Sequence, residues 1–286
     1  MDEKSIFITG AASGIGRATA TLFHEKGWFV GCYDVDNTAL QELQQELGDR
    51  CLTSYLDVRN KEAFDAAIAA FSEHTDGHLD VMYNNAGITV GGYFDEMPFD
   101  KIMDIVNINF VGVLNGTYAA IPLLKQTENS LCFTTSSSAA IFGSPGMAVY
   151  GATKYAIKGF TQAMSVELAR MGVRVADVMP GIIDTPLWRS SRYVDGKPVS
   201  TYAKTPKRNA DRTDNSRTIA PSEVAEAVWS AYHGTRLHWY VPPEMEEDDE
   251  ENQSEMMESG GNTFSTQHHQ NSRQNRHADV PMTPTP

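Results

Sequence analysis

The stretch SIFITGAASGIG, residues 5–16, decides the fold. Its first half, Ser5–Thr9, is β-branched, aromatic and uncharged, as a buried strand should be. The second half holds Gly10, Gly14 and Gly16 in the spacing GxxxGxG and leads into a helical pattern. Glycine at a strand-to-helix turn permits a tight bend. It also lets backbone N–H groups, with Ser13 and Ile15 among them, approach a pyrophosphate at the helix N-terminus. The spacing is not the commoner GxGxxG fingerprint. Its position after the first strand of an alternating chain is what favours phosphate binding.

Working outward, apolar β-rich runs are expected near Ser5–Thr9, Trp28–Tyr33, Leu52–Leu56, Val81–Asn84, Leu131–Thr135, Val173–Val178 and Trp239–Val241. Helical patterns fall between them, near 15–26, 38–47, 61–74, 99–126, 150–170 and 221–233. This rhythm implies right-handed crossovers and an α/β fold with a parallel sheet covered by helices on both faces. The second strand ends at Asp34, eighteen residues past Gly16, near the acidic position of a dinucleotide-binding βαβ unit. A carboxylate there accepts hydrogen bonds from the adenosine ribose and repels the extra phosphate of NADP. Ser13 and Val35 stand where a basic residue would serve NADP, so the expected cofactor is NAD. Asp57-Val58 and Asn84-Asn85-Ala86-Gly87 follow the third and fourth strands, at the edge where open parallel sheets bind ligands.

Tyr150 and Lys154 stand four apart in a helical pattern, hence on one helix face. An ammonium beside a phenol favours the phenolate, so the Tyr150 pKa is expected to fall from about 10, toward the range useful to a general acid or base. Ser137, at the end of the preceding strand, is placed to hydrogen-bond a substrate oxygen. Asn109 lies inside the stretch 99–126 between Ile108 and Phe110, where propensity disfavours it and a specific hydrogen bond is required.

Composition limits the alternatives. The chain has 286 residues, 41% hydrophobic, and a net charge of −14, which disfavours nucleic-acid binding. Cys32, Cys51 and Cys132 follow no metal-ligand spacing, so reduced buried thiols and no metal are expected. The start shows no basic region followed by an apolar one, so a cytoplasmic location is expected. Two uncharged runs, 105–124 and 131–153, are interrupted by Asn or by Ser, Gly and Pro and suit buried elements better than membrane spans. Residues 244–286 carry ten Asp/Glu and two Arg with few large apolar residues, and disorder is expected there, beyond a folded domain of residues 1–243. The polar segment 186–218 holds eight Arg/Lys and three Asp, a net +5 in an acidic chain, which suits an anionic substrate.

TGAASGIG, Asp57-Val58, NNAG, Asn109, Ser137, YGATK and Pro180-Gly181 occur in order and at the right separations. As a set they resemble the short-chain dehydrogenase/reductase family over about residues 4–242. The resemblance implies a single-domain Rossmann fold, a doubly wound seven-stranded parallel sheet. It implies a catalytic tetrad at Asn109, Ser137, Tyr150 and Lys154, with Ser137 chosen among three serines because it stands thirteen residues before the tyrosine. It assigns NAD contacts to Gly10, Ser13, Gly14, Ile15, Gly16, Asp34, Asp57, Val58, Asn84, Ala86 and Gly87. Tyr150, Lys154, Pro180, Gly181, Ile182 and Thr185 complete that cofactor set, the last two near the nicotinamide carboxamide. The segment 186–218 becomes a substrate lid, where Leu187, Trp188 and Tyr193 close an apolar pocket with Phe142 and Met147. The implied function is hydride transfer between a secondary alcohol or ketone and NAD, with Tyr150 as base or acid, in a homodimer or homotetramer. The rival readings are an NADPH-dependent carbonyl reductase and a non-catalytic NAD-binding scaffold protein.

Overall fold

The computed structural model describes residues 3–189, 192–194, 196–199 and 217–258. The chain divides into two compact units, Met1–Glu246 and Glu247–Pro286. The first opens with β1 (Ser5–Thr9), α1 (Gly14–Glu25), β2 (Phe29–Asp34), α2 (Asn37–Leu47), β3 (Cys51–Tyr55), α3 (Lys61–His74) and β4 (Val81–Asn84). It continues through α4 (Phe99–Val106), α5 (Gly112–Leu124), β5 (Leu131–Thr135), α6 (Ala148–Ala169) and β6 (Arg174–Pro180). The short strands β7 (Ile182–Ile183), β8 (Arg192–Val194), β9 (Lys197–Val199) and β10 (Thr218–Ile219) precede α7 (Pro221–His233) and β11 (His238–Val241).

Seven strands form one parallel sheet in the order β11-β6-β5-β4-β1-β2-β3. Period-2 alternation gives each central strand two buried faces. Ile6, Ile8, Val30, Cys32, Tyr83 and Phe133 point to one side, into a core shared with Phe23 of α1, Leu40 and Leu43 of α2 and Val224 and Val228 of α7. Phe7, Tyr33, Met82 and Cys132 point to the other, against Phe64, Ile68 and Phe71 of α3, Ala120 and Leu124 of α5 and Leu168 of α6. Phe7 stacks on Tyr33 with centroids 3.9 Å apart and meets Phe71 edge-on. This is a doubly wound Rossmann-type fold, with all glycine-turn and strand-end residues delivered to one sheet edge. The three cysteines are free and buried.

Three departures from the sequence pattern matter. The stretch 99–126 is not one helix: a π-helical turn, Asn107–Val111, separates α4 from α5. The wider turn carries Asn109 inward, where its Oδ1 accepts from Ile88 N at 2.8 Å and its Nδ2 donates to Ile88 O at 2.9 Å. π-turns inside α-helices commonly mark functional positions. The segment 186–218 contains the turn Pro186–Arg189, the antiparallel pair β8–β9, and β10 beside β7. Residues 190, 191, 195 and 200–216 lie outside the described residues, and most of the expected basic lid falls there.

The third departure is in the tail. A helix, α8, spans Met245–Glu258, where disorder is expected from residue 244. Met245 is buried in a small cluster with Ala140, Ile141 and Met179, an anchor distant in sequence. Carboxylates in its first turn face the positive end of the helix dipole. Residues 259–286 lie outside the described residues. No helix among the described residues is long and apolar enough to cross a membrane.

Candidate active site

The sheet edge opens into a cavity of about 750 Å³. At one end lies the glycine turn. Gly10 and Gly14 adopt φ of +68° and +53°, a left-handed backbone that favours glycine. Gly10, Ser13, Gly14 and Ile15 line the cavity, while Gly16 does not. A Cβ on Gly16 would fall 2.1 Å from Gly10 O, so Gly16 serves the turn's closure rather than ligand contact. Ser13 makes no side-chain cap to α1, leaving that helix's first N–H groups available to an anion. Asp34 sits beyond the turn with its Oδ2 held by Ala12 N at 3.0 Å and its Oδ1 by Val35 N at 2.7 Å. The next helix is capped instead by Asp36, which accepts from Thr38 N and Ala39 N.

Asp57, Val58, Ala86 and Gly87 line the cavity as well. Asn84 does not. It is the last strand residue, and parity turns its side chain away from the cavity, onto Thr117 Oγ1 at 3.2 Å and Cys132 Sγ. The cavity residue is Asn85, whose Nδ2 donates to Thr9 O at 3.0 Å and Gly10 O at 3.2 Å. It ties the glycine turn to the fourth strand, and Thr135 Oγ1 donates to its Oδ1 at 3.1 Å. Pro180, Gly181, Ile182 and Thr185 form the opposite wall, with Thr185 packed against Gly14.

At the other end α6 delivers Tyr150 and Lys154, both buried. Lys154 Nζ donates to Thr135 O at 2.8 Å and lies 5.6 Å from the Tyr150 ring centroid. Ser136 also lines the cavity, but its Oγ donates to the Lys154 carbonyl at 3.0 Å. Ser137 is the serine that meets the Tyr150 phenol. Asn109 is fully buried behind them; a Cβ on Gly87 would stand 3.4 Å from its Oδ1 and 3.8 Å from Lys154 Nζ. Phe142, Met147 and Leu187 line the mouth. Tyr193 is not part of the cavity wall; its backbone N–H donates to Gly91 O at 2.8 Å. Trp188 has its side chain outside the described residues.

The electrostatics differ from the spacing argument. Burial raises the Tyr150 phenol above its ordinary value, opposed by the Ser137 hydrogen bond. The expected fall from Lys154 is absent in the free protein because desolvation dominates both groups. Lys154 itself is lowered by burial to about 8. Near neutral pH the resting pair is therefore a protonated phenol beside an ammonium that is easily deprotonated.

The residues present fit a dinucleotide. An uncapped helix N-terminus, a glycine cradle, a fixed carboxylate and a buried phenol-ammonium pair lie along one cavity. The sequence pattern of the short chain dehydrogenases matches residues 4–194. The chain belongs to the short-chain dehydrogenase/reductase family and is an oxidoreductase of that family. It is similar to SadH of Mycobacterium tuberculosis, named as an oxidoreductase, at 37% identity over 212 residues, covering 71% of this chain and 75% of that one. A 3-oxoacyl-[acyl-carrier-protein] reductase of Thermotoga maritima is 33% identical over 190 residues, covering 65% of this chain and 77% of that one. Among solved structures, a 3-ketoacyl-(acyl-carrier-protein) reductase of Brucella melitensis complexed with NADH superposes with a TM-score of 0.72 at 28% identity. It covers 83% of this chain and 96% of that one.

The lowered Lys154 pKa makes stability pH-dependent. Between about 8 and 10.5 the unfolded chain holds a proton on this lysine that the native chain lacks, so stability rises with pH across that window. Below it the burial penalty is fully present. Replacing Lys154→Met should therefore raise stability at pH 7 by up to about 3 kcal/mol. The gain should shrink as pH rises from 8 to 10.5. Denaturant titrations at several pH values measure this, and a pH-independent difference would refute the buried-ammonium assignment.

Proposed function

We propose that the chain is an NAD-dependent dehydrogenase acting between a secondary alcohol and its ketone. The observation that carries this reading is a single cavity with Asp34 at one end and Tyr150, Ser137 and Lys154 at the other. When bound, the cofactor supplies the hydride acceptor and a positive charge beside the phenol. Gly10, Gly14 and the first N–H groups of α1 hold the pyrophosphate, and Asp34 holds the adenosine ribose. Pro180, Gly181, Ile182 and Thr185 border the nicotinamide. Tyr150 takes the alcohol proton at its phenol oxygen, and Ser137 stabilises the same substrate oxygen as it becomes a carbonyl. Lys154 binds the nicotinamide ribose and favours the phenolate once that charge is in place. Asn109 holds Ile88 and anchors a water that passes the proton from Lys154 outward. In reduction Tyr150 is the acid.

Ile88, Phe142, Met147 and Leu187 make the substrate end apolar. Lys154 and Arg59 are the cationic residues among those lining the cavity, and the net +5 charge of the segment 186–218 in the sequence supports an anionic substrate. The reductases of acyl-carrier thioesters among the relatives agree with such a substrate and favour carbonyl reduction. An alcohol dehydrogenase of Thermococcus sibiricus, solved with 5-hydroxy-NADP, is 25% identical with a TM-score of 0.68, covering 83% of this chain and 95% of that one. It keeps an NADPH-dependent reductase as the second reading, and Asp34 counts against it.

The test is turnover on a panel of hydroxyacyl thioesters, hydroxysteroids and simple secondary alcohols with each cofactor. NAD should be preferred over NADP by about 100-fold, since a phosphate beside Asp34 places like charges together. Tyr150→Phe should lower kcat by about 10²- to 10⁴-fold while NADH affinity is retained. NADP preference would refute the Asp34 argument, and an active Tyr150→Phe would refute the proton-transfer role.

We also infer a homodimer or homotetramer. Phe94, Ile102, Val106 and Phe110 line an apolar groove with Ala148, Ala152 and Ala156 of α6, and Phe94 and Phe99 are 61% and 70% exposed. Small residues on α6 permit close helix approach. Sedimentation should find an oligomer that Ala152→Glu breaks into monomers; a monomeric wild-type chain would refute the inference.

A further inference from the structure

One cation at the adenosine end has no part in the proposed chemistry. Arg59 follows Asp57-Val58 and lines the cavity beside Asp34, Val35 and Leu56. Its Nε donates to Asp57 Oδ1 at 3.0 Å and Oδ2 at 3.1 Å, and its Nη2 donates to Asp57 Oδ2 at 2.7 Å. Its Nη1 reaches across to Asp104 of α4 at 3.2 Å. Asp104 is shared with Lys101, whose Nζ donates to its other oxygen at 2.9 Å. A half-exposed ion pair of this kind contributes little to stability. What the two carboxylates do is fix the plane of the guanidinium at the rim of a ligand cavity.

That fixation decides what Arg59 offers a ligand. Three of its five N–H donors are committed to Asp57 and Asp104, which holds the guanidinium in one plane and leaves two N–H groups and the planar face for a ligand. A guanidinium face stacks on aromatic rings. It is less suited here to a phosphate, because the carboxylates of Asp34, Asp57 and Asp104 outnumber the cations Arg59 and Lys101 at this end of the site. The pairing with Arg59 also keeps the Asp57 carboxyl below its usual range, so the fork stays closed at neutral pH.

We propose that Arg59, clamped by Asp57 and Asp104, is the platform on which the adenine ring of the cofactor stacks. Lysine cannot replace it, since an ammonium carries the charge without the plane. The proposal rests on the dinucleotide reading of the cavity, and it assigns Arg59 to the base rather than to the phosphates or the ribose.

Calorimetric titration of the full chain with AMP, 2′,5′-ADP, nicotinamide mononucleotide and NADH tests it. Arg59→Ala should weaken AMP and NADH by about 3- to 10-fold and leave nicotinamide mononucleotide unchanged. Arg59→Lys, which keeps the charge, should be as weak as Arg59→Ala, and both variants should retain the wild-type thermal midpoint. Wild-type affinity for AMP in either variant overturns the proposal. So does a loss for 2′,5′-ADP far larger than for AMP, which would make Arg59 a phosphate ligand. A wild-type chain that binds neither NADH nor NADPH refutes the cofactor reading itself, and with it the platform.

Discussion

The hydrogen bond from Lys154 Nζ to Thr135 O, 2.8 Å long and buried between α6 and the end of β5, is the contact on which the site depends. An ammonium taken out of water is costly unless it is bonded, and here its environment lowers the pKa to about 8. The bond joins α6 to the end of β5, and Tyr150, one turn earlier on the same helix, meets Ser137 at the cavity. Ser136 completes the junction by bonding the Lys154 carbonyl. Burial raises the Tyr150 phenol, and no contribution from Lys154 offsets it. The free protein therefore rests with its phenol protonated.

At the far end the logic is reversed: a carboxylate, not a cation, is fixed in place. Asp34 is held by the N–H groups of Ala12 and Val35, so the glycine turn also orients the carboxylate at this end of the cavity. Asn85 binds the same turn to the fourth strand. The two ends are joined by a parallel sheet buried on both faces, which gives strand ends little freedom to shift independently.

Much of this was legible in the sequence, because strand–helix rhythm and glycine spacing are local. The seven strands, the glycine turn, Asp34 and the Tyr150/Lys154 spacing all follow from short stretches. What was not legible depends on parity or on distant partners. Asn84 and Asn85 are adjacent and identical, and only the pleat decides that Asn85 faces the cavity. The helical pattern of 99–126 runs on through Asn107 and Asn109; Asn109 signals a specific hydrogen bond, but the spacing does not give the wider π-turn that supplies it. Tyr150 spacing predicts a lowered pKa, whereas burial, which spacing does not encode, raises it. The start of α8 depends on Met245 meeting Met179 and Ile141. Arg59 escapes a search confined to the positions beside Gly14 and Asp34, because it arrives from the following strand.

The most direct test of the buried pair is the pH dependence of the first turnover of NAD reduction, comparing wild type with Lys154→Met under saturating cofactor. The expected result is a rate that rises with a pKa well below the ordinary phenol value of about 10 in the wild type. In Lys154→Met that pKa should move upward by one unit or more, with a lower limiting rate. An unshifted profile in the variant would contradict the role of Lys154 in setting the ionisation of Tyr150.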